Sequence, residues 1–128
     1  MRLTAPIAAG DLIDRITILE IKTARIADPA KLANVRAELA ALEEIGRAQL
    51  PASPALAGLK AELREVNEAL WEIEDRLREL ERRRSFDSDF VEAARSVYRH
   101  NDRRAAIKRA INREVGSDIV EEKSYAPY

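Results

Sequence analysis

From Leu56 to Leu80 the chain repeats one pattern without a miss: Leu56, Leu59, Leu63, Val66, Leu70, Ile73, Leu77 and Leu80 follow at alternating steps of three and four. With 3.6 residues per helical turn, that spacing sets all of these side chains in one seam. Ser53 before Pro54 supplies an N-cap and a first-turn proline, so a helix is predicted over about 54–83. Leu32, Val35, Leu39 and Leu42 repeat the pattern on a shorter helix over about 29–48, opened by Asp28 and Pro29. The stretch QLPASP between them predicts a reversal that lays these two helices side by side as an antiparallel pair. Downstream, DFVE reads as a capping box, Asp89 with Glu92 three on, opening a helix over about 89–115 with Gly116 just past its end.

The segment DLIDRITILEIKTARIA, about 11–27, is different because it is apolar nearly all round. Leu12, Ile16, Leu19 and Ile26 form one stripe, but Ile18 and Ile21 fall on the far side, which predicts either a central helix or a face buried in an oligomer. Its β-branched run ITI leaves a strand as the alternative. The elements together predict an all-α fold, a long antiparallel helical hairpin or four-helix bundle with coiled-coil-like packing. They form a single domain over 1–128 with an irregular tail over 116–128 held by Tyr125 and Tyr128.

Composition narrows the class of protein. Ala, Glu, Lys, Leu and Arg make up 72 of the 128 residues, above the roughly one half that marks long-helix chains. The absence of cysteine excludes disulfides, thiol catalysis and thiolate metal sites. No run approaches the roughly 20 apolar residues that a membrane span needs, and MRLTAPIAAG is too short in apolar residues for a secretory signal. No membrane insertion and a cytoplasmic location are the resulting expectations.

The candidate chemistry lies where polar residues interrupt apolar stripes. On the helix opened by Asp89, His100, Asn101 and Arg104 occupy inward positions between Phe90, Ala94, Val97 and Ile107, Ile111. Glu20 intrudes in the same way between the directions of Ile13 and Ile16, and Asn67, Trp71, Glu74 and Arg78 form a second stripe beside the leucine seam. Burying such groups unpaired costs several kcal/mol each, so they must be paired or line a wet cleft. One reading is a satisfied network in which Glu20, Glu74 or Asp75 meets Arg104 and the asparagines fix helix register. Another is a pocket for a small anion, with Arg95, Arg104 and Lys108 as cations, Asn67 and Asn101 as hydrogen-bonding groups, and Trp71 with Tyr98 as an apolar wall. In that reading the chain is an anion-binding protein or a small all-helical enzyme.

Other signals shrink on inspection. His100 is the sole histidine, so a histidine-paired metal site is impossible, and no metal or cofactor is expected. Glu65 with Glu68 and Glu72 with Asp75 resemble the carboxylate pairs of helical pyrophosphohydrolases, but here both pairs share one helix and read as a solvated face. Residues 95–113 carry a net charge of +6 and 62–81 a net of −5. Opposite signs on two long helices predict mutual neutralisation rather than nucleic-acid binding, and stacking aromatics are missing from the basic helix apart from Tyr98. DLIDRITILEIK resembles the first helix of chorismate mutases, with basic residues at a different spacing.

Longer blocks carry a broader resemblance. ITILEIK, VNEALWEIED, FVEAARSVYRHNDRRAAIKRAIN and EEKSY together resemble a family of small bacterial proteins classed as a domain of unknown function, from Gly10 to Tyr125. The resemblance implies a bacterial source and a shared fold, and names no substrate. The residues themselves point first to a non-catalytic helical interaction module, self-associating through its apolar N-terminal helix or docking a partner protein. No residue is assigned a catalytic role.

Overall fold

Four helices and no strands build the chain: α1 (Ala9–Arg25), α2 (Pro29–Gln49), α3 (Pro54–Arg82) and α4 (Ser88–Val115), 74% of the sequence. The structure is a computed structural model and describes residues 1–128. The ITI run is helical, because α1 lies between other helices and its burial outweighs the weak β preference of isolated residues.

The helix ends follow from local hydrogen bonding. Asp28 accepts from the Ala30 amide at 2.9 Å and Ser53 from the Leu56 amide at 3.1 Å, each ahead of a proline at the first helical position. Gly116 closes α4 in the left-handed conformation, at φ 65°. The start of α4 differs from expectation. Asp87, not Asp89, is the N-cap, accepting from the Asp89 amide at 3.1 Å and leaving Asp89 to complement the dipole in the first turn.

The order of packing corrects the sequence reading. α2 does not pair with α3; it packs on α1 alone, while α3 and α4 form the long antiparallel hairpin and α1 touches all three other helices. Two opposite faces of α1 explain this. Gly10, Asp14, Thr17 and Ile21, at steps of four, three and four, are all buried, and so is the other stripe of Leu12, Ile16 and Leu19. The first stripe meets the hairpin; the second leaves α2 the one remaining apolar face to cover. Ile21 is therefore covered within one chain, at 1% exposure, so its position across from Leu12 and Ile16 reflects a central helix.

Ile13 joins Leu56, Leu63, Val66, Ile107 and Ile111 in the core, which occupies the end of the hairpin that α1 covers. Gly10 allows the close crossing of α1 and α4. A Cβ there would lie 2.5 Å from the Lys108 carbonyl oxygen, and the Gly10 amide donates to Asn112 Oδ1 at 2.7 Å.

Much of the remainder is only half covered. α2 contains no buried residue, and neither does α4 before Ala105. The solvent-accessible surface is 8740 Å² for a 14.4 kDa chain, where the scaling for compact monomers of that mass gives about 6,800 Å².

Candidate functional site

The polar layer is built around a residue that the apolar pattern of α1 concealed. Asp14 is 3% exposed and accepts from Arg104 through two bonds, Nε to Oδ1 at 2.9 Å and Nη2 to Oδ2 at 2.5 Å. Asn67 donates through Nδ2 to Asp14 Oδ1 at 2.9 Å and to Thr17 Oγ1 at 3.0 Å, and the Thr17 hydroxyl donates to the Asp14 carbonyl at 2.8 Å. Arg104 also approaches Asn101 Oδ1 at 3.5 Å. Three helices thus meet at one carboxylate. The forked pair with Asp14 holds the Arg104 guanidinium above its ordinary pKa against the opposing effect of burial.

A second ionic joint lies one turn further along α4. Burial pulls the Lys108 ammonium down, but Asp11 at 2.8 Å and Glu121 at 2.6 Å outweigh it and hold its pKa above the ordinary value. This joint ties the C-terminal tail to α1 and α4. The tail then runs back along α4 to its end, where the Tyr128 hydroxyl donates to Asp102 at 2.7 Å and its ring lies 4.9 Å from that of Tyr98. Of the two tyrosines expected to hold the tail, Tyr128 makes these contacts while staying 79% exposed, and Tyr125, 81% exposed, meets only the Lys123 ammonium, 5.8 Å from its ring centre.

The expected partner of Arg104 was Glu20, Glu74 or Asp75, and none of these is its partner. Glu20 faces α3, where it accepts from Arg64 at 3.0 Å and stands 3.1 Å from Lys60 Nζ in an ionic contact off the hydrogen-bonding direction. Glu74 pairs with Arg78 one turn on in its own helix, and Asp75 has no ionic partner. Asp14 won because it lies on the face of α1 that crosses Arg104.

Beside this layer is an open groove of about 570 Å³, within the size range of ligand sites. Six of the candidate residues line it: Asn67, Trp71, Glu74, Asp75, Asn101 and Arg104, with Ile18, Ile21 and Leu70 as apolar floor. Trp71 is half-buried, and the Arg25 guanidinium stands 5.8 Å from its ring centre while pairing with Glu68 and Glu72. The Trp71 indole N–H makes no hydrogen bond within the chain and reaches solvent.

The remaining candidates lie elsewhere. Lys108 belongs to the tail joint, His100 turns Nδ1 onto the Ser96 carbonyl at 2.8 Å, Arg95 pairs with Glu92, and Tyr98 stacks on the tail. No group of three or more carboxylate or imidazole side chains comes together as a metal would require, and no helix is long and apolar enough to cross a membrane.

Charge pairing departs from expectation in a further way. The acidic face of α3 and the basic face of α4 do not neutralise each other; the sole ion pair between them is Arg76 with Asp89 at 3.7 Å, of the reverse polarity. α1 mediates instead, giving Asp11 and Asp14 to basic α4 and Arg25 to acidic α3. Glu62, Glu65, Asp75 and Glu81 on α3, and Arg103, Arg109 and Arg113 on α4, are left without ionic partners.

A model of a family described as of unknown function (DUF6165) matches residues 3–128. No curated protein and no solved structure matches the chain.

Proposed function

The chain belongs to this family of unknown function, DUF6165, and on that premise we propose that it is a non-catalytic helical protein–protein interaction module that self-associates. The observation that carries this reading is the unfinished burial of its apolar stripes. Leu32, Val35, Leu39 and Leu42 of α2 and Leu70, Ile73 and Leu77 of α3 stay partly open to water although each sits in an apolar seam. The surface in excess of a compact monomer, roughly 1,900 Å², exceeds the roughly 800 Å² per partner that a standard interface buries.

The rival reading is a small-anion site or a small all-helical enzyme at the groove. It needs a free cation, and both cations of the layer are occupied: Arg104 by Asp14, Lys108 by Asp11 and Glu121. The layer therefore reads as a register-fixing network that joins α1, α3 and α4. Its groove is a surface feature flanking that network.

Hydrogen exchange of the full chain at low and high protein concentration tests the reading. Amides of α2 and of residues 70–104 are expected to exchange more slowly as concentration rises, because local opening is suppressed where a second chain covers the helix. Exchange that is independent of concentration throughout both segments contradicts it.

A further inference from the structure

α1 fills the notch between α3 and α4 from Gly10, which bonds to Asn112, to Arg25, which pairs with Glu68 and Glu72. There α1 ends, while the hairpin runs on to the turn at 83–87, so its outer half has two helices where its inner half has three. One bank of this open notch is Trp71, Glu74, Asp75 and Arg78 on α3. The other continues from Asn101 back along α4 through Tyr98, Ala94 and Val91, at helical steps of three and four. Val91 is 51% exposed, a large value for an apolar body in register with a groove whose floor is Ile18, Ile21 and Leu70, and Tyr98, with the Tyr128 ring against one side of it, still leaves 42% open.

We propose that this notch is the self-association surface, and that its occupant is the same notch of a second copy, related by a two-fold axis. The inference rests on the self-association reading above and adds where contact occurs. Its principal support is charge. The α3 bank holds Asp75, which has no ionic partner, and the adjoining turns of α4 hold Arg95, whose contact with Glu92 is 3.6 Å and exposed. Both residues lie between the same two markers of the hairpin, the Arg76–Asp89 pair toward the turn and the Asn67–Arg104 layer toward the core. A two-fold axis that lies in the interface and runs parallel to the hairpin sets α3 of each copy over α4 of the other, and so brings each Asp75 toward the second copy's Arg95. Such an interface is self-complementary, as a two-fold contact must be. It also gives the acidic face of α3 the basic α4 neighbour that it lacks within its own chain.

Sedimentation velocity on the wild-type chain and four variants tests the proposal. Val91→Glu puts a charge on an exposed position, so folding is kept, and far-ultraviolet circular dichroism verifies that. The expected result is a wild-type dimer, a monomeric Val91→Glu, a dimer at least tenfold weaker for Asp75→Arg, and recovery of most of that loss in Asp75→Arg/Arg95→Asp. If the wild-type chain dimerises and Val91→Glu dimerises equally well while Leu39→Glu on α2 does not, this surface is overturned and the self-association reading survives. A wild-type chain of monomer mass, 14.4 kDa, at every concentration removes both.

Discussion

Asp14 on α1 and Arg104 on α4, 90 residues apart in sequence, form a two-point ion pair that Asn67 on α3 joins at the same carboxylate oxygen. This contact fixes three helices to one another, and Thr17 completes its hydrogen bonding. Removing Arg104 leaves a carboxylate that is 3% exposed without its cation.

Arg104→Ala is accordingly expected to destabilise the fold by about 2–4 kcal/mol, the lower part of the range for broken buried pairs because the arginine keeps partial contact with water. The double substitution Asp14→Leu/Arg104→Met is expected to cost less than Arg104→Ala alone, since no uncompensated charge is left. Urea melts of the two proteins check this. A double variant less stable than the single one contradicts the account.

Trp71 divides structural from surface roles. Leu63 is fully buried, so Leu63→Ala is expected to cost about 3–4 kcal/mol, whereas Trp71→Ala, at the half-open wall of the groove, is expected to cost about 1–2 kcal/mol. Thermal melts that rank the two the other way would place the tryptophan in the core.

The Gly10 crossing predicts an unusual sign for a helix substitution. Alanine is worth up to about 1 kcal/mol over glycine inside a helix, but here its methyl carbon would stand 2.5 Å from the Lys108 carbonyl and compete with the Asn112 bond. Gly10→Ala is expected to destabilise by about 2 kcal/mol or more, since backbone must move. A neutral or stabilising outcome in a denaturant melt is incompatible with the crossing.

The tail joint has a pH window. The folded-state pKa of Lys108 is raised above 10.5 and that of Tyr128 above 10.0, the first because Asp11 and Glu121 outweigh burial, the second because its phenol donates to Asp102. A raised value means that each link contributes fully below its ordinary pKa and is lost as pH rises through the folded value. Nuclear magnetic resonance of the tyrosine rings is expected to find the Tyr98–Tyr128 contact at neutral pH and its loss as pH rises through the raised Tyr128 pKa, with helix content retained. Absence of contact between the Tyr98 and Tyr128 rings at neutral pH contradicts the tail joint.

How far the sequence foretold this differs by element, for physical reasons. The α3 seam and the caps at Asp28 and Ser53 are local, so periodicity and side-chain chemistry identify them. Arg104 stands out as a polar interruption in an apolar stripe. Its partner did not, because α1 is apolar nearly all round and a carboxylate on such a helix has no contrasting face to mark it. The steps from Gly10 to Asp14, Thr17 and Ile21 are the signal that was available: a small and polar stripe opposite Leu12, Ile16 and Leu19. Which helix α2 would choose depends on faces already occupied, and that is a property of the assembled core rather than of QLPASP.

The most direct test of the central claim is the mass of the full chain in solution by light scattering over a range of concentrations. Self-association through half-open seams predicts a mass that rises with concentration toward at least twice 14.4 kDa, and a constant mass of 14.4 kDa up to the highest concentration contradicts it.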